Sequence, residues 1–429
     1  MPQRKKPPMP TNQTKPEARN RIEAKARAKS SLRFNLLVSL AALAIGLLAC
    51  ELVVRAMGEF TEDGQFIFRG RVVRPFKMPI KSVQSALDAY RRSDRSLVIY
   101  NSVLGWAPRP NHISDNGLYS YNSLGIRSEP REFAPEPFEG VLRIALFGNS
   151  YTHGDDVVYT ETFGAQLDSA LNAVGIPAEV LNFGVGGYGI DQAYLRYHQQ
   201  GMQSAPQLVV LGFQAENLKR NLNLIRPLYL MQTGLPFAKP RFVLRGNVLD
   251  LVDVPVLPPD QIVPTLRRFD QWPLARYEFF YDRQSFARPL WRRSKLLALV
   301  GDLARRGEDD WHVRRVIHRP GSAEEKLGWA IINAFADEAK ANGAAFMIVH
   351  LPTRTDLEVL AAIGAVPCQG LLDALSERFA VVRPEERMLE VGAGSGFHNL
   401  FAGHYNALGN RIVAEAMQAR IQRDLTDPR

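Results

Sequence analysis

Ser150 stands in the segment Phe147-Gly148-Asn149-Ser150-Tyr151-Thr152-His153-Gly154, just after a short apolar run and before a helical pattern. A serine hydroxyl is a weak nucleophile until a base takes its proton and donors hold the developing oxyanion. In an open parallel sheet the carboxyl ends of the strands line the ligand crevice, so a nucleophile is wanted at such a place. Three later segments could supply its partners. Asn182-Phe-Gly-Val-Gly-Gly-Tyr-Gly189 has glycines that let a backbone amide approach a substrate oxygen. Gln214-Ala215-Glu216-Asn217 follows another apolar run and offers a side-chain amide. Gly403-His404-Tyr405-Asn406-Ala407-Leu408-Gly409-Asn410 puts a histidine before the last helix, where it could act as base.

Each segment has a plainer reading. Ser150 or Thr152 could simply cap a helix, and so could Asn217. Gly184, Gly186 and Gly189 fit the dinucleotide pattern G-x-G-x-x-G, but after the second strand rather than the first, with polar Asn182 at the strand end. A single histidine is usually structural, and His112, His153, His198, His312, His318, His350 and His398 compete with His404.

Together, in order and spacing, the four segments resemble the blocks of the SGNH (GDSL-type) serine hydrolases over residues 141–420. That resemblance implies Ser150 as nucleophile, Gly187 and Asn217 as oxyanion donors beside the Ser150 amide, and His404 as base. It implies neither metal nor cofactor. The segments Leu104-Gly105-Trp106 and Asn122-Ser123-Leu124-Gly125-Ile126-Arg127 look like the lead-in of membrane-anchored members. Two residues depart from the family. Asn149 stands where the G-D-S signature has aspartate, and Phe401 stands three before the histidine, where the family has its acid. An aspartate orients the imidazole and stabilises its cation. Without it the expectation is a Ser-His dyad, a backbone carbonyl facing His404, or an acid from elsewhere. Asp155 and Asp156 are available for that role, although acids ahead of a helix at 161 have a sufficient reason to be there.

The elements that must carry these residues alternate. Residues 142–147 (LRIALF), 178–182, 208–213 (LVVLGF), 345–350 (AFMIVH) and 379–382 read as short strands. Residues 161–174, 191–202, 323–342 and 406–422 read as helices. Apolar strands alternating with helices predict an α/β fold, a three-layer α/β/α domain around a central parallel sheet. This domain is expected over 141–424, with a long insertion at about 223–321 containing a hairpin that turns at Gly246-Asn247. Residues 57–140, turn-rich, read as a juxtamembrane segment packing on it through short strands. The aromatic, basic stretch 269–293 could wrap the core or line a cleft.

An apolar content of 46% and a charged content of 23% suit a chain with a buried core. The net charge of +9 is local: residues 1–33 hold ten lysines and arginines against Glu17 and Glu23. The remainder is nearly neutral, which gives no footprint for nucleic acid. After this basic tail comes the apolar run FNLLVSLAALAIGLLA from position 34, continued by Cys50-Glu51-Leu52-Val53-Val54. A transmembrane helix over 34–56 is expected, with the tail inside and the rest outside the cytoplasm. Glu51 and Arg55 are spaced to pair on one face. A cleaved signal peptide and lipidation at Cys50 are the alternatives. Cys368 is the only other cysteine, so no disulfide within the outer part and no thiolate metal cluster can be built.

The resemblance and this placement imply an inner-membrane, periplasm-facing esterase acting on acylated, above all acetylated, carbohydrate of the envelope or of exported polysaccharide. Oligomeric state is open. Two rival functions are an O-acetyltransferase using the same residues and a catalytically weak scaffold of an envelope assembly, the latter suggested by Phe401.

Overall fold

The computed structural model describes residues 15–230, 233–304 and 321–426. They fall into two compact units, one of residues up to Pro75 with Arg288–Leu303, the other of Phe76–Ala287 with the chain from Ala304 onward.

The first unit carries α1 (Lys15–Ala56) and a small antiparallel sheet of Gly58–Phe60, Phe66–Phe68 and Arg71–Val73. Val54, Phe66, Val73, Ala298 and Leu299 make its core. Glu51 accepts from the backbone N–H groups of Lys295 and Leu296 and from Arg55 Nε at 2.6 Å, so the spaced pair forms. Within α1, Ser31–Ala56 is long and apolar enough to cross a membrane, and Leu36, Leu37, Leu43, Ile45 and Leu48 are exposed along it.

The second unit is built on five parallel strands: β1 (Leu142–Phe147), β2 (Ala178–Asn182), β3 (Leu208–Phe213), β4 (Ala345–His350) and β5 (Ala380–Val382). Their spatial order is β5-β4-β3-β1-β2, all neighbours parallel. All six residues of β3 are buried, as a strand covered on both faces requires. Side chains alternate between two cores. Ile144, Leu146, Val210, Met347 and Val349 pack on Phe163, Leu167 and Leu171 and on Ile412, Val413 and Met417. Ala145, Phe147, Val209, Leu211 and Ile348 pack on Ala193 and Tyr197 and on Leu327, Ile331 and Phe335. The sheet is therefore the middle of three layers, as the alternation predicted.

The helices that matter to the site are α2 (Ser150–His153), α3 (Phe163–Ala173), α4 (Ile190–Arg196), α5 (Glu216–Arg220), α6 (Ala323–Ala341) and α7 (Ala407–Thr426). The expected helix over 191–202 is broken: α4 gives way to a π turn at Tyr197–Gly201. That wider turn carries Tyr197, fully buried and edge-on to Phe147 with ring centroids 5.6 Å apart. Arg241–Arg245 and Val248–Val252 form the expected hairpin. It packs with Ile262 and Leu266 against Val83 and Leu87 of the helix Ile80–Arg92, so the long insertion and the lead-in share a core.

Chain order puts β2 on one side of β1 and β3 on the other. The connections leaving β1 and β3 diverge, and the crevice between their carboxyl ends is the switch point where such sheets bind ligands. Ser150 follows β1 and Asn217 follows β3.

Candidate active site

Asn149 opens α2: its Oδ1 accepts from Tyr151 N–H at 2.9 Å. Gly148, before it, has no room for a side chain, because a Cβ would lie 2.2 Å from Thr152 Oγ1 and 3.0 Å from the Gly212 carbonyl of β3. The turn is thus wedged against the carboxyl end of the central strand, with Ser150 only 8% exposed.

His404 reaches Ser150 from the far end of the chain. Its Nε2 lies 2.9 Å from Ser150 Oγ, and its Nδ1 lies 2.7 Å from Asp156 Oδ2. The same carboxylate oxygen accepts from the His404 backbone N–H at 3.1 Å. The tautomer follows: Nδ1–H donates to the carboxylate, leaving Nε2 to accept from the serine hydroxyl. Tyr151 sits edge-on to the imidazole, centroids 4.8 Å apart, and fixes its tilt. Asp156 supplies the carboxylate that is missing at Phe401, so of the three arrangements expected the acid from elsewhere is the one the structure forms. In the sequence Asp156 reads more simply as an acid ahead of a helix; in the structure its carboxylate faces His404. Its backbone is left-handed, with φ 72°.

The loop carrying Asp156 is held from behind. Arg127, buried, donates through Nη1 to the carbonyls of His153 and Gly154 and through Nη2 to that of Val157. His153 is buried too, with Nε2 2.9 Å from the Tyr121 hydroxyl and Nδ1 2.5 Å from Asp155 Oδ1. Burial, aided by the Arg127 guanidinium, holds the His153 imidazole below its ordinary pKa. Burial also raises the Tyr121 phenol, so Tyr121 donates to a neutral ring whose Nδ1–H faces Asp155. Asp155 therefore serves the scaffold and Asp156 the imidazole. The sequence reading missed Arg127 as a functional residue; its signal was the Asn122–Arg127 lead-in.

Asn217, fully buried on α5, has its Oδ1 3.1 Å from Asn149 Nδ2. The orientation of these amides is dictated by a relay. The Leu351 carbonyl can only accept, so Gln214 presents Nε2–H to it at 2.8 Å and Oε1 to Asn149 Nδ2 at 2.6 Å. Asn149 then donates to Asn217 Oδ1 as well. The Asn217 Nδ2 group is left buried without a partner among the described residues. Asn149, the departure from the signature, is thus a donor where an aspartate could only accept.

Gly187 lies in the loop after β2 with φ 83°, a left-handed conformation that favours glycine. Trp106 Nε1 donates to the neighbouring Gly186 carbonyl at 3.1 Å, and the Tyr188 hydroxyl donates to the Trp106 carbonyl at 2.6 Å. The lead-in thus anchors the glycine loop. Of the four residues singled out in the sequence, Ser150 and His404 are in direct contact, Asn217 is tied to the residue before Ser150, and Gly187 stands on the adjoining loop. A nucleophile, a base, an acid and an unpaired buried donor are what acyl transfer from an ester needs.

No family model matches the chain, and no curated protein does. Solved structures to which this chain is similar include an acetyl xylan esterase, 12% identical at a TM-score of 0.34 over 65% of this chain and 100% of that one. A member of the lipolytic protein G-D-S-L family from Veillonella parvula is 13% identical at 0.34, over 66% and 99%. A two-domain esterase active on acetylated mannans is 10% identical at 0.33, over 68% and 51%. What the site can do rests on its own atoms.

Proposed function

We propose that this protein is a membrane-anchored serine esterase of the SGNH type that cleaves acyl esters, acetyl esters of envelope or exported carbohydrate above all. The observation that carries the reading is the array Ser150–His404–Asp156, with contacts of 2.9 and 2.7 Å. In the first half-reaction Ser150 Oγ attacks the ester carbonyl while His404 Nε2 takes its proton. The imidazolium is held by Asp156. Charge on the carbonyl oxygen is met by Asn217 Nδ2–H and by the amides of Ser150 and Gly187. Collapse breaks the ester C–O bond, and His404 protonates the departing alcohol. Water then attacks the acyl-enzyme, His404 accepts its proton, and the carboxylic acid leaves as Ser150 recovers its hydrogen.

The anchor is the apolar part of α1, and the basic residues ahead of it favour a tail kept in the cytoplasm with the enzyme outside. The scaffold alternative rested on the missing acid, and the Asp156–His404 contact favours the esterase over it. The transferase alternative differs only in what attacks the acyl-enzyme.

The test is turnover of a chromogenic acetyl ester by the full chain in detergent, beside Ser150→Ala and His404→Ala. Serine-dependent release supports the reading. A folded protein with no such turnover contradicts it, and release that needs a glycan acceptor assigns the transferase.

A further inference from the structure

Two arginines border the glycine loop without an acidic partner. Arg226 is 5% exposed; its guanidinium carbon would lie 3.6 Å from a Cβ on Gly187, and its Nη1 is 3.5 Å from the Gly187 carbonyl. It stacks over the Tyr229 ring at 4.9 Å, an arrangement that leaves the in-plane N–H edge free. Arg220, at the end of α5 and three residues after Asn217, donates through Nη1 to the Tyr188 carbonyl at 3.1 Å. Both Nε–H groups are buried without a partner among the described residues. In each side chain Nη1 is engaged, and the Nε/Nη2 edge, the one that grips a carboxylate bidentately, is unused.

Neither arginine forms an ion pair among the described residues, and the nearby Glu216 is paired with Lys219 at 3.3 Å. Two guanidinium groups bordering one loop, each with its Nε–H out of water and unpaired among the described residues, are costly unless an anion joins them. The Arg226 pKa accordingly falls to about 9, through burial first and repulsion from Arg220 second.

We propose that Arg226 and Arg220 form an anion subsite beside Gly187 that receives a carboxylate carried by the ester substrate, as an acidic sugar would present. This rests on the esterase reading for the word substrate, while the subsite itself can be tested without turnover. The preferred esters are then those of carboxylated rather than neutral glycans. The carboxylate would enter as the ester carbonyl settles over Ser150.

Two measurements separate the claims. The first is calorimetric binding of an oligogalacturonate to full-length Ser150→Ala in detergent at low salt, with and without Arg226→Gln or Arg220→Gln. Binding that weakens about 10- to 100-fold in each double variant, with Arg226→Lys intermediate, is expected. The second is the ratio of kcat/KM for an acetylated oligogalacturonate over an acetylated xylo-oligosaccharide, expected well above unity and falling by a similar factor in Arg226→Gln. Thermal melts identify any variant that fails to fold, and Arg220→Gln then decides. Equal binding in folded variants overturns the subsite, as does inorganic phosphate competing as well as the oligosaccharide. Binding that follows the arginines in a protein without esterase turnover upholds the subsite and overturns the esterase.

Discussion

Asp156 and His404 are 248 positions apart, yet one carboxylate oxygen of Asp156 accepts from both the backbone N–H and the imidazole Nδ1 of His404. The double contact fixes the histidine's position as well as its tautomer. Asp156→Asn keeps the size but lets the amide donate to Nδ1, favouring the wrong tautomer. A fall in kcat of roughly 10³- to 10⁴-fold is expected, the scale seen when a triad aspartate is replaced. Asp155→Asn, acting through His153, should cost far less. Steady-state kinetics on both variants checks this: equal losses would give the two acids the same role, and a larger loss in Asp155→Asn would reverse them.

Asn149→Asp brings in the G-D-S signature that this segment resembles and, on the proposed reading, should nevertheless lower turnover. The carboxylate would face Gln214 Oε1 and could not donate to Asn217 Oδ1. The Asn217 amide would lose its fixed orientation. We expect kcat to fall about 10- to 100-fold with KM little changed, somewhat less than the ~10²- to 10³-fold expected for Asn217→Ala. An unchanged kcat would show that the relay does not orient the donor.

Arg127 is a positioning residue. Arg127→Ala strips donors from three buried carbonyls of the loop that carries Asp156. Unfolding free energy should drop by about 3 kcal/mol or more. Arg127→Lys, which keeps the charge but not the fork, should recover stability in part while kcat stays low. Denaturant titrations alongside kinetics separate these effects.

Asp253 has its pKa raised to about 7 by burial, and its backbone φ of 62° suits asparagine. Below about pH 4 the carboxyl is protonated folded or unfolded, so it costs nothing. From there to pH 7 the unfolded chain ionises and the folded one resists, so stability falls as pH rises. Asp253→Asn should therefore stabilise by about 1–3 kcal/mol at pH 8 and not at pH 4. Melting curves at the two pH values test the sign.

The sheet was legible because β3 is an unbroken apolar run and β1 and β4 are apolar but for Arg143 and His350, the pattern of a strand covered on both faces. Ser150 and His404 were legible through their neighbours in sequence. Asp156 was not, because its direction depends on a left-handed backbone and on Arg127 gathering the loop. Nor was the meaning of Asn149, which lies in a relay through Gln214 to the Leu351 carbonyl. Arg220 and Arg226 carried no motif at all; they stand out only once burial and missing partners can be seen.

The most direct test of the Ser150–His404–Asp156 array is the labelling of the full-length protein by a fluorophosphonate, with the modified residue located by peptide mass spectrometry. The reagent needs an activated serine and no particular substrate. Labelling at Ser150 alone is expected, abolished in Ser150→Ala and slowed at least about 100-fold in His404→Ala and Asp156→Asn. A folded protein that stays unlabelled, or that is labelled at another residue, would contradict the assignment of Ser150 as the nucleophile.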